Sequence, residues 1–260
     1  MMSLEEYVGR AVENNPTVLV FSPKRPPALD DSKVLTVSDV GGDIELPIEF
    51  ETFEDRIKFG IEGAIENELV HEGETVLCID NVFGRKVDTF SRIEITDNWE
   101  TGLYNLFMNS KAEPKVIKSV VELAIELGKK GQKGEPIGAL FVVGDAGKVM
   151  DRSRELSYNP FEKSHVHVGD PIVNVMLKEF SRLDGAFVIS DSGKIVSAYR
   201  YLEAEARGVD IPKGLGTRHM AAASITQDTN SVSVVLSESD NLVRVFKRGE
   251  VVLEIDPENY

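Results

Sequence analysis

The chain has 260 residues, 42% of them hydrophobic, and a formal net charge of −15. This length fits one large domain or two moderate ones, and either size buries a core without disulfides. The negative charge argues against broad binding to DNA, RNA or an anionic membrane surface. The sequence shows no apolar run of ~20 residues and no signal peptide, so we expect a cytoplasmic protein.

The first part of the chain alternates predicted strands and helices. Residues 17–21 form a short apolar run that ends at a Ser-Pro pair, which indicates a buried strand, and residues 34–37 indicate another. From Phe53 onward, apolar residues recur at helical spacing up to Leu69, so a helix is expected there. Strands are expected at 75–79, where the single cysteine would be a small buried hydrophobe, and at 87–95.

A polar stretch without periodicity, residues 109–114, is the best domain boundary because it ends in Pro114. We therefore expect two domains, at 1–112 and 113–260, the first with a regulatory or oligomerising role. The second should open with an amphipathic helix that stops at Gly128, followed by a central strand at 137–143. Residues 144–148 fail the spacing of a phosphate-binding P-loop and predict a hairpin turn.

The rest of the second part carries one more long helical pattern and several strands. Asp170-Pro171 has the chemistry of a helix start, and the helix is expected to bury Ile172, Val175, Met176, Glu179 and Phe180. Its other predicted elements follow in chain order: a strand at 186–189, a hairpin into 195–199, a helix at 217–225, and strands at 232–236, 242–246 and 251–255.

The segment from Gly214 to His219 has the features of an anion site. Its glycines let the backbone approach a ligand closely, and Thr217 is expected to cap the following helix. Arg218 and His219 would then lie in the first turn, where free N–H groups and the helix dipole favour phosphate. Arg218 can donate two hydrogen bonds to phosphate oxygens, and His219 can donate to phosphate or to a leaving group. An ordinary capped helix with a solvated arginine is the alternative.

Two carboxylates lie beside turns in the same half of the chain. Asp184 precedes Gly185 and Ala186, which leave no bulk beside it, so it can hold a divalent cation and activate a hydroxyl. Ser237-Glu238 closes a predicted strand, and ligands often bind at strand ends. Taken singly, Asp-Gly is also a common turn dipeptide, and Ser237-Glu238 is also a solvated strand end.

The three segments together, in this order, closely resemble the diadenylate cyclase domain, which is also the nucleotide-binding part of the bacterial DNA-integrity scanning protein. The resemblance rests on three stretches and extends from about Ile137 to about Leu253: DGAFVIS from Asp184, GTRHMAA from Gly216 and SVVLSE ending at Glu238. It implies an α/β fold with a central mixed β-sheet flanked by helices. The chain looks most like the soluble archaeal form of the family, and its smaller N-terminal α/β domain faintly resembles the C-terminal domain of pyruvate kinase.

The family resemblance implies that two ATP molecules are condensed into cyclic di-AMP, with Mn²⁺ or Mg²⁺, by homo-oligomers whose active sites face each other. Asp184 would be a metal ligand and would activate the 3′-hydroxyl, and Glu238 would be a second ligand. The implied nucleotide-binding residues are Gly185, Ala186, Leu202, Gly216, Thr217, Arg218, His219, Ser237 and Glu238. Of these, Arg218 and His219 would join Asp184 as catalytic residues.

The sequence departs from the family pattern at two positions. Met220 stands where the second motif usually ends in another arginine, and Leu183 stands where some membrane-bound relatives carry a histidine ligand. The alternative to an enzyme is therefore a catalytically silent module of the same fold that binds adenine nucleotides. The intact residues Asp184, Arg218 and His219 favour the enzyme.

Overall fold

A computed structural model describes residues 17–24, 33–48, 50, 52–81, 88–96, 99, 102–131, 137–181, 184–203 and 215–259. The chain divides into two compact units, residues 1–104 and 105–260. The predicted boundary after residue 112 stays a prediction. Among the described residues, no helix is long and apolar enough to cross a membrane.

The first unit contains a five-stranded sheet in the order β3-β2-β1-β4-β5, in which only β5 is antiparallel to its neighbour. Its elements are β1 (Thr17–Val20), β2 (Val34–Ser38), β3 (Ile44–Glu45), helix α1 (Phe53–Glu66), β4 (Thr75–Asp80) and β5 (Thr89–Glu94). Helix α2 (Gly102–Met108), which the sequence pattern did not indicate, comes next in the chain. Helix α1 ends before Leu69, which is exposed, because Glu68 adopts a left-handed φ of 57 and the Leu69 N–H bonds back to the carbonyl of Ala64. The likeness to pyruvate kinase stays a prediction.

The second unit contains a seven-stranded mixed sheet in the order β12-β11-β10-β6-β8-β9-β7, in which only β6 and β8 are parallel. Its helices are α3 (Pro114–Lys130), α4 (Ala146–Asp151), α5 (Pro171–Phe180) and α6 (Thr217–Asp228). Its strands are β6 (Ala139–Val143), β7 (Ser153–Glu155), β8 (Ala186–Ile189), β9 (Ile195–Leu202), β10 (Val232–Leu236), β11 (Val243–Lys247) and β12 (Glu250–Ile255).

Helices α3 and α6 both pack against β6 and β10, and every residue of these two strands is buried. Continuous burial is expected of strands that are covered on both faces. One core cluster joins Ala222 and Ala223 of α6 to Leu140, Val235 and Phe246 of the sheet. The predicted mixed sheet with flanking helices is therefore confirmed.

The hairpin predicted at residues 144–148 is wrong, because helix α4 begins there. A hairpin would pair β6 with the next strand, but both neighbours of β6, β10 and β8, come later in the chain. The chain must therefore leave the sheet after β6. Asp145 makes the bend in the left-handed region at φ 47, and its carboxylate accepts hydrogen bonds from Lys111 Nζ and the Asn230 backbone N–H.

The buried face predicted for helix α5 is also wrong except at Phe180, which is half-buried and packs against Phe161 and Tyr199. Ile172 is 73% exposed, Val175 is 61% exposed, and Glu179 is exposed as well, whereas Val173 and Leu177 are buried. Apolar residues occur on more than one side of this helix, so its periodicity does not select a face. Packing selected the Val173–Leu177 stripe, which has the i,i+4 spacing of a single helix face.

Candidate functional site

Strand register brings Asp184, Gly138 and Ser237 to one edge of the second sheet. Phe141 pairs with Phe187 in the parallel β6–β8 ladder, so three residues earlier Gly138 lies level with Asp184. Leu236 pairs with Ala139 in the antiparallel β10–β6 ladder, so the next residue, Ser237, falls beside Gly138. Because β10 is antiparallel to β8, the C-terminal end of β10 and the N-terminal end of β8 lie at the same edge of the sheet.

The backbone conformation of Gly185 determines where Asp184 lies relative to the sheet. Its φ of +110° is rarely adopted by residues that carry a side chain. A Cβ there would lie 2.7 Å from the carbonyl carbon and 2.8 Å from the Cα of Tyr199, both backbone atoms of β9. Ala186 then begins β8 as a fully buried residue. The Asp-Gly-Ala sequence therefore places an exposed carboxylate directly before a buried strand.

The N-terminus of α6 lies beside the same edge. The predicted cap was Thr217, but the N-cap residue is Gly216, and Thr217 is already helical. The cause is local: the backbone N–H groups of His219 and Met220 both bond to the Gly216 carbonyl, so the helix starts one residue earlier. Arg218 and His219 lie in the first turn, as predicted. An open pocket of about 450 Å³ is lined by Gly216, Thr217, Arg218, His219, Leu236, Ser237, Glu238 and Ser239.

The guanidinium of Arg218 lies between the two carboxylates of the site and contacts both. Its Nη1 donates to Glu238 Oε2 at 3.2 Å, and its Nη2 lies 3.8 Å from Asp184 Oδ1. The guanidinium passes over Gly138, where a Cβ would be only 2.3 Å from Nη1. Arg218 is one-third exposed, whereas Asp184 is 94% and Glu238 62% exposed, so all three groups can exchange partners with a ligand.

His219 is 4% exposed although it lines the pocket. Its Nε2 lies 3.3 Å from Nη1 of Arg244, and its ring meets Phe246 edge-on at 6.1 Å between centroids. Burial is the main cause that lowers the pKa of His219, and the positive charge of Arg244 adds to it. The imidazole is therefore neutral at neutral pH and has one N–H to donate.

The remaining predicted residues lie in two places. Ser237 is buried at the end of β10, and its hydroxyl lies 3.2 Å from that of Ser239. Leu202, the last residue of β9, is buried in the core cluster with Ala222 and lies outside the set of residues that line this pocket. Leu183 falls outside the described residues.

Sequence reasoning missed three residues of the site: Gly138, Asp240 and Arg244. Arg244 Nη2 donates to Asp240 Oδ2 at 2.8 Å, and this hydrogen bond is the main cause that holds the pKa of Asp240 below its usual range. A charged residue inside the apolar run 242–246 was a signal that could have identified Arg244. No comparable signal marks Gly138, whose role depends on strand order.

Asp184 and Glu238 are oxygen donors of the kind that Mg²⁺ and Mn²⁺ prefer. Within the described part of the chain, no group of three or more His, Cys, Asp or Glu residues could hold a metal ion. Mg²⁺ is commonly held by one or two carboxylates together with substrate phosphates. The pair Asp184 and Glu238 fits this kind of shared coordination.

Comparison with known proteins finds two matching family models. Residues 1–115 match the model described as "Diadenylate cyclase, N-terminal", and residues 126–251 match "DisA bacterial checkpoint controller nucleotide-binding". The crystal structure of a double mutant of DacA from Staphylococcus aureus covers 56% of this chain and 91% of its own, at 25% identity and a TM-score of 0.41.

Two archaeal relatives are more similar in sequence. A diadenylate cyclase from Methanocaldococcus jannaschii is 40% identical over 205 residues, which are 77% of this chain and 66% of that protein. A diadenylate cyclase from Haloferax volcanii is 67% identical over 217 residues, which are 84% of this chain and 81% of that protein. With this identity over most of both chains, the chain belongs to the diadenylate cyclase family, and so to the nucleotidyltransferases.

Proposed function

We propose that this chain condenses two ATP molecules into cyclic di-AMP and releases two pyrophosphates. The observation that carries the proposal is Arg218, which lies at the N-terminus of α6 between two exposed carboxylates. Family membership supplies the reaction. In it, each 3′-oxygen bonds to the α-phosphorus of the other ATP, the bond to the pyrophosphate oxygen breaks, and the hydroxyl loses its proton.

The triphosphate would bind at the start of α6. Backbone N–H groups of a first helical turn and the positive end of the helix dipole attract anions. A Cβ at Gly216 would meet nothing within 4 Å, so a ligand can approach this backbone closely. Arg218 would exchange a carboxylate for phosphate oxygens, to which its guanidinium can donate two parallel hydrogen bonds. His219 would add an uncharged donor.

Asp184 and Glu238 would hold Mn²⁺ or Mg²⁺ together with the phosphates. A bound divalent cation would neutralise phosphate charge and lower the pKa of the attacking hydroxyl. Asp184 is the exposed carboxylate next to Gly185 and would also orient that hydroxyl. When ATP draws Arg218 away, both carboxylates lose their counter-charge, and they can then accept a cation in its place.

The reaction needs two nucleotides, whereas the pocket belongs to one chain. We therefore propose a homo-oligomer in which two sites face each other, because a two-fold axis makes both attacks equivalent. Such positioning is a large part of phosphoryl-transfer catalysis. The chain's net charge of −15 opposes close approach, so cations at the sites would offset repulsion.

Incubation of the purified chain with ATP and Mn²⁺ or Mg²⁺, followed by chromatography, tests the proposal. We expect one cyclic di-AMP and two pyrophosphates for every two ATP molecules consumed. The matched variant Asp184→Asn keeps the shape and loses the charge, and its turnover should fall at least ~10²-fold. ATP that stays intact with both metals would instead identify the silent nucleotide-binding module, and near-normal turnover of Asp184→Asn would refute the role of this carboxylate.

A further inference from the structure

Arg244 is a buried arginine and the second residue of strand β11. Its guanidinium is fixed by two carboxylates: Nε donates to Glu254 Oε2 at 2.7 Å, and Nη2 donates to Asp240 Oδ2 at 2.8 Å. Glu254 is the direct cross-strand partner on β12, and Asp240 lies in the turn that precedes β11. A planar group held by two anions in this way cannot rotate, so the direction of its remaining N–H groups is set.

Nη1 of Arg244 carries two N–H groups: one donates to Asp240 Oδ1 at 3.3 Å, and the other is available to His219. Nη1 of Arg244 lies 3.3 Å from Nε2 of His219, and the side chain of Phe246, two residues along the same strand, packs against the imidazole ring. Ring orientation is therefore limited by packing on one side and by Arg244 on the other. Within the described part of the chain, the structure gives Nδ1 no hydrogen-bond partner, and His219 lines the pocket.

An arginine has five donors and no acceptor, so a hydrogen bond between Arg244 and Nε2 requires that Nε2 carry no proton. We propose that Arg244 is a positioning residue that holds His219 as the tautomer protonated at Nδ1, which leaves the Nδ1–H as the donor for an anionic ligand in the pocket. The opposite tautomer would set an N–H of His219 against an N–H of Arg244. It would also present a lone pair to the pocket, which repels phosphate oxygens.

For catalysis, this inference rests on the proposed function. A neutral imidazole can donate to the triphosphate or to departing pyrophosphate only through the nitrogen that carries its proton. The hydrogen bond at one ring nitrogen decides which nitrogen that is, so Arg244 would act on the reaction without touching ATP. Asp240 and Glu254 would serve by holding Arg244.

The first test uses the protein without nucleotide, so it does not depend on the reaction. Long-range ¹H–¹⁵N spectra of the four histidines, at about pH 8 where imidazoles are neutral, report which nitrogen of each ring carries the proton. The signal lost in His219→Gln assigns His219. We expect a protonated Nδ1 and an unprotonated Nε2 in the wild type, and a shift toward the other tautomer in Arg244→Met. A wild-type His219 protonated at Nε2 overturns the proposal, and so does an unchanged tautomer in a folded Arg244→Met; if that variant does not fold, the wild-type spectrum decides.

The second test separates positioning from a structural role. Loss of a group that orients a metal-ligating histidine typically costs about 10- to 100-fold in activity, and by analogy we expect kcat/KM of Arg244→Met to fall by a similar factor. In the His219→Gln background the same substitution should change kcat/KM less than about twofold, because the effects of coupled residues do not add. If the two substitutions instead multiply their effects on kcat/KM, Arg244 acts through the fold and not through His219. Wild type that makes no cyclic di-AMP would refute the proposed function and leave the spectroscopic result standing.

Discussion

Gly138→Ala should disable the site although none of the proposed ligand-binding residues is replaced. The new Cβ would lie 2.3 Å from Nη1 and 2.9 Å from Cζ of Arg218, and 3.3 Å from Cβ of Glu238. Carbon contacts are optimal at about 3.5 Å, so the guanidinium must move by about 1 Å. The end of an arginine side chain can make that movement, whereas a strand cannot, so the fold should persist.

The expected loss follows from what Arg218 does. A hydrogen bond to a charged group is worth roughly 1.5–3 kcal/mol, which corresponds to about 10- to 150-fold in kcat/KM. Arg218→Ala sets the upper limit, because it removes the donor entirely. Stability should stay within about 1 kcal/mol of wild type or rise, since replacing glycine at an unstrained position restricts the unfolded chain.

Gly147→Ala is the matched control for this substitution. Gly147 lies on α4, and a Cβ there would meet no atom within 4 Å. Initial rates of cyclic di-AMP formation over a range of ATP concentrations, together with urea unfolding, compare the three variants with wild type. Gly147→Ala should keep wild-type kinetics. A folded Gly138→Ala with kcat/KM within about twofold of wild type would refute the role of Gly138 in setting the position of Arg218.

Three further predictions concern other parts of the chain. Gly185→Ala adds a Cβ within 2.8 Å of the Tyr199 backbone at a φ of +110°, so it should lower the free energy of unfolding in urea by about 2–4 kcal/mol. An unchanged unfolding midpoint would show that the backbone of β9 moves away from the new Cβ without cost. Burial raises the pKa of Glu62 from its ordinary 4.5 to about 7, so the folded state holds a proton that the unfolded state loses. Stability of the first unit should therefore fall by up to about 3 kcal/mol as pH rises from 4.5 to 7, and Glu62→Gln should remove that slope; equal slopes in both proteins would contradict it. Asp184→Asn mixed in excess with wild type should lower activity per wild-type chain if sites face each other, and constant activity would rule out catalysis between subunits.

The sequence determined the nature of the site more completely than its geometry. Glycines, Arg218 and His219 at a helix start indicate phosphate by local chemistry, which needs no knowledge of distant contacts. The same holds for most strands and for α3 and α6, because periodicity and the residues at their ends are local properties. The exact cap shifted from Thr217 to Gly216, since one carbonyl accepts two backbone N–H groups there.

Only the tertiary structure decided which residues share the site. The antiparallel placement of β10 beside β6 brings Glu238 and Asp184 to one edge, and Gly138 leaves the space through which Arg218 reaches both. The strand order also requires the chain to leave the sheet after β6, so residues 144–148 lead into a helix and not into a hairpin. Packing against the rest of the unit determines which side of α5 is buried. Arg244 contacts His219 from 25 positions along the chain. Pairing across strands and helices depends on the arrangement of the whole sheet, so no local pattern in the sequence encodes these contacts.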